Sequence, residues 1–228
     1  MKICVIGLGY VGSVFSPCLA NAGHDVIGYD SVEKKVSATN KGTCTIQEKG
    51  LNELMSEQVE AQRLKATSSL SEAVENSEIA FICVGTPNNL DGSLDLSQIF
   101  LISGRIAELK KDTATNYIIA IRSTVESGTC NEVQKYVDEI LKSSNSKATI
   151  DIIYNPEFLR EGTALEDYNS PPYIVFGLPE ENFDKLKEIS MDIYKNVLSN
   201  ILFLPLREAE FIKCISNSWH ALKVVFAN

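Results

Sequence analysis

The sequence has little that would mark a covalent framework or a specialised surface. Glycine and proline number only 13 and 7 among 228 residues, too few for collagen-like repeats or low-complexity linkers. With 44% hydrophobic and 22% charged residues, a disordered chain is excluded as well. No block of lysine and arginine stands out, histidine occurs twice, and 21 basic against 30 acidic residues give a net charge of −9. That balance excludes nucleic acid or another polyanion as the main partner. There is no CxxC pair; the six cysteines, at 4, 18, 44, 83, 130 and 214, stand apart and mostly in apolar runs. They read as free thiols in a reducing, cytoplasmic compartment, with neither a disulfide framework nor a metal site. Apolar runs approaching the about 18 residues of a membrane span are missing. The charge-free stretch from Ile3 to Gly23 behind Lys2 loosely resembles a secretory leader, but Gly7, Gly9, Gly12 and Pro17 inside it have a better explanation.

What the chain does have is alternation. Short β-branched runs at Lys2 to Ile6, Asp25 to Tyr29, Leu64 to Thr67, Ile79 to Val84, Tyr117 to Ile121, Ile150 to Tyr154, Tyr173 to Phe176 and Ile201 to Leu204 read as strands. Between them, segments such as Val11, Val14, Phe15, Cys18, Leu19 and Ala22 keep one apolar helical face. Further helices are expected over Leu51 to Gln62, Leu96 to Leu109, Thr129 to Leu141 and Glu181 to Asn196. Strand, helix, strand in repetition predicts an α/β fold, a doubly wound and mostly parallel sheet covered on both faces. Against the roughly 150 residues of one domain, the length implies one large domain, or one domain and a piece of something else. From Arg207 onward, Ile212, Ile215, Trp219, Leu222 and Phe226 form a stripe that runs to the last residues without a stop signal. The expectation is a long terminal helix that continues beyond residue 228.

The strongest local motif is Lys2 to Ile6 followed at once by Gly7-Leu-Gly9-Tyr10-Val11-Gly12 and an amphipathic helix. A buried strand, GxGxxG and a helix make a dinucleotide-binding corner: Gly7 turns the chain, Gly9 admits a pyrophosphate, and Gly12 lets helix and strand pack closely. The second run ends in Asp30, 18 residues past Gly12, where a carboxylate accepts from ribose hydroxyls. With a carboxylate there and no arginine behind it, NAD is expected rather than NADP. Pro17 falls in the second turn of the helix, so a kink or an irregular start is expected.

In open parallel sheets ligands bind beyond the carboxyl ends of the strands. Those ends carry Gly85-Thr86-Pro87, Arg122-Ser123-Thr124 and Asn155-Pro156-Glu157 through Glu161, which would bring hydroxyls and paired carboxylates to one rim. Taken singly, each also reads as a turn or a helix cap. On the terminal helix, Lys213, Asn217 and His220 share a face away from the apolar stripe, either as a solvated row or as a donor-rich surface for an oxyanion.

Together, Gly7 to Gly12, Phe81-Ile-Cys-Val-Gly-Thr-Pro87, Arg122-Ser-Thr-Val125, Asn155-Pro-Glu-Phe-Leu-Arg-Glu-Gly-Thr-Ala164 and Ala209-Glu-Phe-Ile-Lys213 with Asn217 resemble the UDP-glucose/GDP-mannose dehydrogenase family. Within it, Asp167 to Pro172 and Asn217 to Asn228 look most like the members that oxidise GDP-mannose. The resemblance implies a Rossmann-like NAD-binding domain over 1–205 and the start of a linking helix over 206–228. It implies a four-electron oxidation of a sugar C6 alcohol to a carboxylate by two NAD⁺, through a cysteine thiohemiacetal and thioester. It places NAD against Gly7, Gly9, Tyr10, Val11, Gly12, Asp30, Lys35, Thr86 and Thr124. It places catalysis at Thr124, Glu157, Glu161, Lys213 and Asn217, and the nucleotide sugar against Glu161, Lys213, Asn217, His220 and Asn228. Which of Glu157 and Glu161 is the general base stays open. The family's nucleophilic cysteine belongs to a second domain after the linking helix, and none of the six cysteines here has its context. Ser127 replaces a proline frequent in the family. A homodimer or larger assembly, with no membrane partner, is implied for the complete enzyme. The alternatives are a UDP-sugar in place of GDP-mannose, and a non-catalytic NAD-sensing module that docks a partner through its terminal helix.

Overall fold

The first strand, β1 (Lys2–Ile6), is buried from its second residue onward. Ile3 and Val5 face one helical layer and Cys4 and Ile6 the other, so both faces are apolar. The computed structural model describes residues 1–227, and the expectation for Asn228 lies outside the described residues. After β1 come α1 (Tyr10–Asn21), β2 (Asp25–Tyr29), α2 (Glu33–Asn40), α3 (Leu51–Glu60), β3 (Leu64–Thr67), α4 (Leu70–Glu75), β4 (Ile79–Ile82) and α5 (Ser97–Lys110). Then follow β5 (Asn116–Ile121), α6 (Thr129–Ser143), β6 (Thr149–Tyr154), α7 (Ala164–Asn169), β7 (Ile174–Leu178), α8 (Phe183–Ile193), β8 (Ile201–Pro205) and α9 (Leu206–Ala227).

The strands form one sheet in the order β3-β2-β1-β4-β5-β6-β7-β8. Pairing is parallel from β3 across to β6, antiparallel between β6 and β7, and parallel again between β7 and β8. Strand order reverses between β1 and β4, which makes their carboxyl ends the switch point at which such sheets bind ligands. The sheet is the doubly wound α/β architecture expected. One apolar layer joins α1, α3, α7 and α8 to the sheet, and the other joins α4, α5, α6 and the start of α9.

Three short helices, α2, α4 and α7, are absent from the periodicity reading. α2 buries only Val36 and Thr39 and has no stripe to read. α4 did carry a signal: the Ser69 hydroxyl accepts from the Glu72 N–H, in a Ser-x-x-Glu arrangement. The expected irregularity at Pro17 is corrected at the start of the helix. α1 begins regularly, with Ser13 N–H bonding the Gly9 carbonyl at 2.9 Å, and its assignment continues through Pro17.

His24, in the turn before β2, is fully buried. Its Nε2 lies 3.1 Å from the Ile193 carbonyl and its Nδ1 3.5 Å from the Met1 amine, an arrangement that suits neutral imidazole donating from Nε2. Burial lowers its pKa and outweighs the opposing carbonyl. An unfolded histidine gains its proton below about pH 6.5, whereas the folded one gains it only at lower pH. Stability is therefore full above that value and declines on acidification, by at most about 1.4 kcal/mol per pH unit. Melting temperatures between pH 7 and pH 5 are expected to fall more steeply for the wild type than for His24→Gln; parallel slopes would refute this.

Helix α9 is seated by one carboxylate. Helix α6 has Gly128 as its N-cap and no side-chain cap of its own. Glu210, fully buried on α9, supplies one by accepting from Gly128 N–H at 2.6 Å and Cys130 N–H at 2.7 Å. Ser127 adds a hydroxyl bond to the Arg207 carbonyl at 3.0 Å. The inward face of α9 is thus Leu206, Ala209, Glu210 and Lys213, while Ile215, Trp219, Leu222 and Phe226 are exposed.

Candidate active site

At the glycine corner, Gly7 has φ +96°, a conformation side chains rarely adopt, and its N–H bonds the Tyr29 carbonyl at 2.8 Å. A Cβ on Gly12 would stand 1.9 Å from the Gly7 carbonyl oxygen, whereas one on Gly9 would meet nothing within 4 Å. Gly9 is the N-cap of α1 and offers no side chain to it. The first-turn N–H groups therefore face open space, the condition for a phosphate. Asp30 follows β2 and is buried, with Oδ2 accepting from Leu8 N–H at 2.8 Å and from Lys35 Nζ at 3.0 Å. Its Oδ1 accepts from Val32 N–H at 2.9 Å. These bonds fix the carboxylate and leave acceptor capacity for a ribose hydroxyl, since a carboxylate has about four lone-pair sites. The residues fit a dinucleotide.

The next two strand ends are tied together. Thr86 donates its hydroxyl to the Thr124 carbonyl at 2.8 Å, so both half-buried threonines lie at one rim. Their neighbours correct the rim reading, because Arg122 and Ser123 are buried. Ser123 bonds the Val84 carbonyl at 2.6 Å. Arg122 lies 4.0 Å over the Phe15 ring and donates Nη1 to Asn155 Oδ1 at 2.7 Å and to the Tyr194 hydroxyl at 3.1 Å. These bonds fasten the end of β5 to the end of β6, just before Glu157.

The loop after β6 meets α9. Lys213, buried on its helix, donates Nζ to the Glu157 carbonyl at 2.5 Å and to Glu157 Oε1 at 2.9 Å. The other oxygen, Oε2, accepts from Leu159 N–H at 2.7 Å. Glu157 is therefore engaged, whereas Glu161 is exposed and has no ion-pair partner among the described residues. Glu161, Lys213, Asn217 and His220 line one cleft of about 490 Å³ together with Phe158, and Asn217 and His220 present exposed polar groups to it. The loop is stiffened by Arg160 Nη2 bonding Asp167 Oδ1 at 2.7 Å. The Arg160 side chain holds the Asp167 carboxyl below the ordinary range.

No described cysteine is poised as a thiolate. All six are free; burial pushes Cys18 and Cys83 up to about 12 and also raises Cys214, whose Sγ lies near the Val125 carbonyl. Among the described residues there is no cluster of histidine, cysteine and carboxylate fit for a metal, and no helix is long and apolar enough to cross a membrane. Sequence reasoning placed Arg122 at the rim, where it is buried, and missed Glu48, in the loop before α3, and Glu210. The last sits inside the Ala209 to Lys213 motif, where its position was visible but its partners on α6 were not.

The family model described as UDP-glucose/GDP-mannose dehydrogenase family, NAD binding domain, matches residues 1–198, and the chain belongs to that family. GDP-mannose 6-dehydrogenase of Azotobacter vinelandii is 40% identical over 232 residues, covering 100% of this chain and 52% of its own length. UDP-glucose 6-dehydrogenase of Rhizobium meliloti is 38% identical, covering 100% of this chain and 51% of its own length. The crystal structure of a ternary complex of GDP-mannose dehydrogenase from Pseudomonas aeruginosa matches with a TM-score of 0.93 at 37% identity, over 100% of this chain and 52% of that one. The chain thus spans about half the length of the curated relatives it matches.

Proposed function

We propose that this chain is the NAD-binding half of a nucleotide-sugar 6-dehydrogenase, with residues 1–205 holding the dinucleotide and 206–228 opening a linking helix. GDP-mannose is the favoured substrate. The observation that carries the reading is the meeting of the Glu157 to Glu161 loop with Lys213, Asn217 and His220 beside a glycine corner equipped for NAD. Bound NAD⁺ supplies the hydride acceptor. The first turn of α1 holds its phosphates, Asp30 its ribose, and Tyr10, Val11, Lys35, Thr86 and Thr124 complete the contacts. Glu157 orients Lys213, whose ammonium, with Asn217, stabilises negative charge growing on the C6 oxygen. Glu161, free at the cleft, accepts from a sugar hydroxyl, and His220 faces the nucleotide sugar. The thiol that captures the aldehyde lies outside residues 1–227, and so does the rest of the sugar-nucleotide pocket. The outward apolar face of α9 is where the remaining half or a second copy packs.

Titration of the 228-residue chain with NADH, followed by nucleotide fluorescence, tests the reading. Saturable binding is expected, at least about tenfold weaker in Asp30→Ala, where hydrogen bonds to a charged acceptor are lost. NADPH is expected to bind more weakly than NADH. Absence of saturable NADH binding would overturn the reading.

A further inference from the structure

Glu48 belongs to none of the residue sets above, yet it ties together two of the segments that carry them. It lies half-buried in the loop before α3, and its Oε1 accepts from the Tyr10 hydroxyl at 2.5 Å and from Gly162 N–H at 2.5 Å. Its Oε2 faces Ala164 N–H at 3.3 Å. Tyr10 is the first residue of α1, directly after the open N-cap Gly9. Gly162 and Ala164 end the loop that bears Glu157 and Glu161. The Tyr10 hydroxyl also lies 3.3 Å from the Arg160 carbonyl in the same loop.

One carboxylate therefore accepts from the phosphate corner and from the substrate loop at once. We propose that Glu48 is a positioning residue that transmits dinucleotide occupancy at the glycine corner to the Glu161 loop. Two further observations fit this role. Gly162 has φ +88° with open space around it, so the loop has no packing of its own at that point. Burial raises the Glu48 pKa, but its three donors outweigh that and keep it below the ordinary carboxylate range, so the acceptor is charged at neutral pH. A ligand that orders the first turn of α1 fixes Tyr10; Tyr10 fixes Glu48, and Glu48 then holds two amides of the loop. Dinucleotide occupancy thereby tightens a sugar site that Glu48 already holds together.

The inference rests on the dinucleotide reading, and amide hydrogen exchange on the 228-residue chain separates the two. In the wild type, saturating NADH is expected to slow exchange at Gly162 and Ala164 about tenfold, the scale of a hydrogen bond to a charged group. In Glu48→Gln and Glu48→Ala that response disappears while NADH still binds. Tyr10→Phe keeps the slow exchange of the free chain, because Glu48 still accepts from both amides, but at saturating NADH it shows no further slowing. A merely structural Glu48 predicts faster exchange in its variants with the NADH response intact, and this result would overturn the coupling alone. Wild-type chain that fails to bind NADH at all would overturn both readings.

Discussion

Gly12→Ala breaks the glycine corner. A methyl group there would stand 1.9 Å from the Gly7 carbonyl oxygen, and that oxygen belongs to backbone held by the Gly7 to Tyr29 hydrogen bond. Neither side can yield without separating α1 from β1, so the cost lies at or beyond the upper end of overpacking, about 3 kcal/mol. For a domain of this size that lowers the melting temperature by roughly 6–12 °C, and NADH binding is lost with the corner. Gly9→Ala is the control: its methyl meets nothing within 4 Å and its φ of −80° is ordinary. Its melting temperature stays near the wild type while NADH affinity falls, because the methyl occupies the approach of the phosphate. Calorimetry and titration on the two variants check the pair, and a Gly12→Ala protein that melts with the wild type would refute the account.

Lys213→Met has the second large effect. Lys213 is 4% exposed and its partner Glu157 has a side chain 17% exposed, so neither charge is freely hydrated. Removing the cation leaves a carboxylate and a backbone carbonyl without their donor. Complete burial of such a pair would make its rupture cost about 3–5 kcal/mol. Water reaches Glu157 in part, which brings the expectation to about 2–3 kcal/mol, read by thermal or urea denaturation. Glu157→Gln keeps an acceptor for Lys213 and is expected to cost less. In an enzyme that carries the remaining half, Lys213→Met lowers turnover on the order of 10³-fold, the scale of losing one oxyanion donor. Turnover within a few-fold of the wild type would remove Lys213 from the chemistry.

The frame of the molecule could be read from residue pattern because its strands are unusually uniform. Runs such as Ile79 to Ile82 and Tyr117 to Ile121 are apolar on both faces, which only a covered parallel sheet requires. The glycine corner was legible for a different reason: Gly7, Gly9, Gly12 and Asp30 answer local geometric demands at fixed spacing. Helices α2 and α7 were not legible, since one has almost no buried face and the other is a six-residue segment that buries only Ala164 and Tyr168. Arg122 shows the limit most clearly. A guanidinium at the end of a strand reads as a rim residue, and only the tertiary arrangement of Phe15, Asn155 and Tyr194 turns it inward. Glu48 and Glu210 are illegible on the same grounds, because each is defined by N–H donors about 80 to 116 residues away in sequence.

Helix α9 carries its cleft residues and its apolar residues on one continuous rod fastened at Glu210. With a rise of about 1.5 Å per residue, Lys213 lies about 5 Å from that fastening, His220 about 15 Å and Phe226 about 24 Å. The rod is a lever with its fulcrum at the first turn of α6. Tilting its far end by an ångström moves Lys213 by roughly a fifth of that and His220 by more than half. The ammonium is thereby insulated from whatever presses on Trp219 and Phe226, while the groups farther along the cleft follow it.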